Sequence, residues 1–132
     1  MFLKKDTLNY GADSAVLYEL SGLQRVEYLE FLQKRTAKYD ADMDGETETD
    51  KSVAYMQMAM EINAWLISRS LFNGDTTQAV DALYQSIQTT WSYEALDSGA
   101  EMVLVLSGLS ADAENNASDP GEKPENMTPE KS

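Results

Sequence analysis

Over residues 53–72 the chain is apolar on almost every side of a helix: Val53, Met56, Ala59, Met60, Ile62, Trp65, Leu66, Leu71 and Phe72 leave little room for a wetted face. A helix of that kind must be enclosed by its neighbours. The rest of the chain therefore has to supply elements that wrap it. Thr49 or Asp50 can cap its start, and Asn73-Gly74 supplies a stop.

The candidates for wrapping elements lie on both sides. Residues 2–8 and 14–20 read as two extended segments, the second with Val16, Tyr18 and Leu20 on one face and Leu17 and Glu19 on the other. Asn9-Tyr10-Gly11-Ala12-Asp13 is turn chemistry between them, so residues 1–20 are expected to form a β-hairpin. Ser21-Gly22-Leu23-Gln24 has the form of a capping box. It opens a helix over about 22–39 with an apolar stripe of Leu23, Val26, Tyr28, Leu29 and Leu32. The enclosed helix is expected over about 51–72. A third should start at Thr76 or Thr77 and run over 76–89, with Val80, Leu83, Tyr84 and Ile87 at helical spacing. Ser92 caps a fourth over 93–109. The fold class is mainly α: a short N-terminal hairpin, about four helices in one domain over 1–110, and an acidic segment.

That segment is residues 111–132, rich in Pro, Glu, Asn, Asp and Ser. Its composition predicts a disordered tail or linker. The charge of the chain is −13, yet residues 40–50 carry six acids and no base, and residues 110–132 contribute −4. Only −3 is left for the folded body. Phosphate would be repelled, so nucleic acid is not an expected partner. No apolar run reaches membrane-spanning length, and the start has no leader pattern, so a soluble intracellular protein is expected.

The chain has neither histidine nor cysteine. Ser-His and Cys-His pairs and thiolate or imidazole metal sites are thereby removed. No constellation for catalysis or for a cofactor emerges. One local pattern suggests a ligand: Asp40, Asp42, Asp44 and Glu46, with Gly45, match the first half of a calcium-binding loop. Lys51 stands where the bidentate Glu of such a loop belongs. A solvated acidic loop is the stronger reading. Met56 and Met60 share a helix face that Met58 does not, and together with Trp65 they are candidates for an adaptable partner surface; core filling is the plainer role for all three.

Several blocks in order carry a family resemblance: Met1-Phe2-Leu3-Lys4, the stretch Tyr18-Glu19-Leu20-Ser21-Gly22-Leu23-Gln24-Arg25-Val26-Glu27-Tyr28-Leu29, and Thr89-Thr90-Trp91 followed by Glu94-Ala95 and Leu106-Ser107-Gly108. Over residues 1–110 the chain resembles the minor tail protein G family of lambda-like long-tailed phages. The resemblance implies a tail assembly chaperone and no enzyme. Such a protein binds and solubilises the tape measure protein in the host cell cytoplasm, and is absent from the mature virion. It implies recruitment of the major tail protein through a G–T fusion made by −1 frameshifting. Self-association is left open, and no catalytic residue is carried over. Two other readings stand beside it: a calcium-responsive helical module using residues 40–51, and a structural minor tail protein.

The chain departs from the lambda pattern after Ser110. There the slip falls on a Gly-Lys codon pair, and residues 110–132 contain none. That leaves slippage on other codons, no slippage, or a shortened chain. Asp119-Pro120-Gly121 alone in this segment can be encoded with a slippery heptamer, as GAC-CCG-GGN. Sequencing the gene should show those codons with an open −1 frame beyond them; other codons, or an early −1 stop, would eliminate this slip site.

Overall fold

The computed structural model describes residues 1–110, so the expectation for 111–132 lies outside the described residues. The order of elements is β1 (Lys5–Tyr10), β2 (Asp13–Tyr18), α1 (Gly22–Met43), α2 (Glu48–Gly74), α3 (Val80–Thr90) and α4 (Tyr93–Leu106). This is the expected mainly helical chain with an N-terminal hairpin. The strands pair antiparallel from Lys5↔Tyr18 to Tyr10↔Asp13. The turn is therefore tighter than the five-residue loop expected, and Gly11 takes a left-handed φ of +61° there. Leu8 and Leu17 are buried, while Val16 on the other face is exposed.

α2 is the central element and packs on α1, α3, α4 and β2. Its C-terminal half is enclosed: Ala64, Leu66 and Ile67 have no exposed surface. Trp65 lies against Tyr28 and Phe31 of α1, with ring centroids 5.8 and 5.6 Å away. The Arg69 guanidinium covers the same indole at 4.3 Å from its centroid. Burial lowers the Arg69 pKa, an effect opposed by the nearby Asp81 and Glu27 carboxylates. Arg35 of α1 pairs with Glu61 one turn away, Nε to Oε1 at 2.7 Å.

Each helix boundary has a local cause. The capping box forms as expected: the Gln24 amide donates to Ser21 Oγ at 3.2 Å, and the Ser21 amide donates to Gln24 Oε1 at 2.9 Å. α1 runs past Tyr39 to Met43, because nothing before Gly45 breaks the helix and Lys38 pairs with Asp42 one turn on. Gly45 then turns the chain with φ +80°. Thr47, and neither Thr49 nor Asp50, caps α2: its hydroxyl accepts the Asp50 amide at 3.1 Å. The helix thus begins three residues before the expected start. At its other end Gly74 does not act as a left-handed stop. It leaves space for Tyr18, whose ring would lie 2.6 Å from a Cβ there.

α3 starts at Val80 and not at Thr76 or Thr77. The Asp75 carboxylate accepts from the Thr77 hydroxyl and amide and from Gln78, which holds the intervening residues in a turn. The same hydrogen bonds lower the Asp75 pKa. Ser92 caps α4 as expected, accepting the Ala95 amide at 3.1 Å. α4 ends at Leu106, short of Leu109. Gly108 takes φ +71°, and the Leu109 and Gly108 amides donate back to the Leu104 and Val105 carbonyls.

The hairpin is tied to the helices where its ladder ends. The Tyr18 amide donates to Ser70 Oγ at 2.6 Å, and the Leu20 amide to Ser107 Oγ at 2.9 Å. Asn73 bonds the Glu19 carbonyl and the Gln24 side chain. α4 comes close to α2 at Gly99, where a Cβ would sit 3.0 Å from Ile67 Cδ1 and 3.2 Å from the Trp91 ring. Gly99→Leu should therefore destabilise the fold by about 1–3 kcal/mol through overpacking. Urea denaturation measures this, and an unchanged midpoint would show that α2 and α4 are not closely packed there.

Candidate partner-binding surface

Among the described residues α1 has its one extensive contact with α2. A helix with one neighbour covers one face, so the wide stripe expected on α1 is divided. Tyr28 turns inward and is buried, with Phe31 and Leu32 partly buried beside it. Leu23, Val26 and Leu29 are left on the opposite side, with 70%, 55% and 52% of their surface exposed. They recur every three residues and form one apolar patch along the first two turns of α1.

A second uncovered face lies on the N-terminal half of α2, where Val53 is 63% and Met56 54% exposed. Of the three candidate residues on this helix, Met56 alone reaches the surface substantially. Met60 is partly buried against the core, and Trp65 is only 6% exposed between Tyr28, Phe31 and Arg69. Trp65 thus packs the interior and presents almost no area to a partner. Met58 is buried as well. A third feature is a groove of about 450 Å³ between the hairpin and the α3–α4 junction, lined by Leu8, Tyr10, Ala15, Trp91 and Ala95 among others. Tyr10 and Ser92 meet across it, oxygen to oxygen at 3.0 Å.

The acidic segment is arranged differently from the loop expected. Asp40 and Asp42 belong to the last turn of α1, and Asp44 is its C-cap. Residues two apart on a helix point to opposite sides, so Asp40 and Asp42 cannot converge on one ion. Asp42 is also occupied by Lys38, and Lys51 by Glu48. Only residues 44–47 join the helices. Among the described residues no three acidic side chains gather as a metal site requires. Calorimetric titration with calcium should accordingly detect no micromolar site; such a site, lost on Asp42→Ala, would contradict this geometry.

Sequence reading overlooked two things. The exposure of Leu23, Val26 and Leu29 had a signal in the stripe itself, which is too wide for one neighbour. The anchoring groups Ser70, Asn73 and Ser107 had none, because a polar side chain in or at the end of a helix does not announce which distant backbone group it will bond.

A small helical body with open apolar faces is suited to contact with another chain. Comparison with known proteins makes this specific. The chain belongs to the family of the bacteriophage lambda tail assembly chaperone, protein G, whose family description matches residues 1–126. It is 27% identical to tail assembly protein G of Escherichia phage lambda, over 89% of this chain and 84% of that protein. It is also 27% identical to tail assembly protein G of Escherichia phage N15, over 93% of this chain and 88% of the relative. Tail assembly protein GT of phage lambda matches at 27% identity too, but the alignment spans only 42% of that longer protein. No solved structure matches the chain. That family is one of tail assembly chaperones, a non-enzymatic role.

Proposed function

We propose that this chain binds the phage tape measure protein and keeps it soluble in the host cytoplasm until the tail is built, leaving before the virion is complete. A longer form made by −1 slippage would bring the major tail protein to that complex. The observation that carries the reading is the pair of open apolar faces on α1 and α2 in a member of a tail assembly chaperone family. A client with exposed apolar helix faces is kept in solution by covering them, at roughly 25 cal/mol for each Å² removed from water. Residues 111–132 offer almost no such area, since Met127 is their only large apolar side chain. Their charge gives an attraction screened beyond about 10 Å at 0.1 M salt.

The body over residues 1–110 therefore holds the client. Deleting 111–132 should leave the tape measure protein co-purifying from a co-expression strain at high salt, while tail assembly fails if the junction to the longer form lies in the deleted part. Purified virions should contain no trace of the chain on immunoblotting. Loss of the complex on truncation, with the body still folded by circular dichroism, would place the contact in 111–132 and overturn this reading. Detection of the chain in virions would make it a structural tail component.

A further inference from the structure

Val53, Met56, Met60, Ala64, Ile67 and Leu71 recur every three or four residues and form one line along α2. From Met60 onward that line is buried or packed against the core, where α2 meets α3 and α4. At Ile67 it meets Gly99 of α4 directly. Toward the N-terminus the same line continues through Met56 and Val53, which no other described residue covers. The spacing that accepts helices over the C-terminal half is thus repeated over an unfilled half. An apolar line at this period takes the matching face of another helix.

The surroundings set the charge of that helix. Asp40, Asp44, Glu46 and Asp50 stand around this end of the α1–α2 pair and have no cationic partner among the described residues. A second copy docking through the same line would set these carboxylates against their own counterparts in a parallel pair, and in an antiparallel pair would offer them only the apolar Val53, Met56 and Met60. An acidic partner would be repelled likewise. A basic partner gains from both parts of the surface, the apolar line and the charged rim.

We propose that the N-terminal half of α2 docks a basic amphipathic helix, its apolar face on Val53 and Met56 and its cations against the carboxylates at Asp44, Glu46 and Asp50. This rests on the reading of the chain as a client-binding protein, and it assigns the contact to α2 over the apolar patch on α1. The partner would be a Lys- or Arg-rich helical segment of the client.

The test uses the full chain and two synthetic peptides: an 18-residue Leu/Lys amphipathic helix, at roughly helical length for a stable stripe, and a Leu/Glu peptide of the same spacing. Because the peptides stand in for any client, their binding is read independently of whether the tape measure protein is that client. The Leu/Lys peptide should shift the amide resonances of residues 49–57. It should bind about tenfold more tightly than the Leu/Glu peptide. Val53→Gln with Met56→Gln should weaken it about tenfold, with the helical circular dichroism unchanged because both residues are exposed. Asp44→Asn with Glu46→Gln and Asp50→Asn should weaken it and flatten its salt dependence. Equal binding of the two peptides, shifts centred on Leu23, Val26 and Leu29, or full affinity in either variant would overturn the proposal. Should the tape measure protein co-purify with wild type and both variants alike, the docking site is wrong while the client reading stands. Should it co-purify with none, the client reading fails separately.

Discussion

Trp65 is the point at which the helices are held together. One face of its ring meets α1 through Tyr28 and Phe31, and the Arg69 guanidinium lies over the indole. Its neighbours Ala64, Leu66 and Ile67 are fully enclosed by the other elements. An aromatic ring of this size contributes more buried area than any aliphatic residue, and its orientation sets how α1 can lie on α2. With α1 fixed by that contact, its far side has no extensive neighbour among the described residues. The open apolar patch is thus a geometric consequence of the way the core is built.

The hairpin depends on the same helix by a different interaction. A two-stranded sheet is marginal in isolation. Here the backbone amides of Tyr18 and Leu20 are taken by serine hydroxyls from α2 and α4, and Asn73 closes the junction to α1. Burying a serine side chain is favourable only when its hydroxyl finds a partner. Ser70 and Ser107, both almost fully enclosed, meet that condition by binding the strand as it leaves its ladder.

The serine and asparagine attachments join the C-terminal half of α2 to the hairpin and the end of α4. The paired ends of α1 and α2 project beyond them, held by Tyr39 against Tyr55 and by the Tyr39 hydroxyl on the Lys51 carbonyl. Packed core and exposed apolar area are both present in this body. The structure separates the two along one helix. The enclosed half of α2 carries the core, and apolar area stays exposed on its other half and on the outer face of α1.

Much of the fold was legible in local chemistry. The capping box at Ser21 and Gln24, the Ser92 cap and the apolar length of α2 are short-range features, and their hydrogen bonds close within one turn. Order and spacing of residue blocks carried the family resemblance over residues 1–110, for the same reason that they required no knowledge of contacts. Helix ends were less legible where a turn competed, as at Asp75, or where no breaker stood, as between Tyr39 and Gly45. The candidate surface was legible only in part. Periodicity placed Met56, Met60 and Trp65 on α2 but could not say that Trp65 would be enclosed and Met56 left open, because an apolar side chain reads the same whether or not a neighbour covers it. The sequence by itself determined which segments are helical and where apolar stripes run. Tertiary structure decided which side of each stripe is covered, since that depends on how many neighbours each helix has, and α1 has α2 alone for any extensive contact.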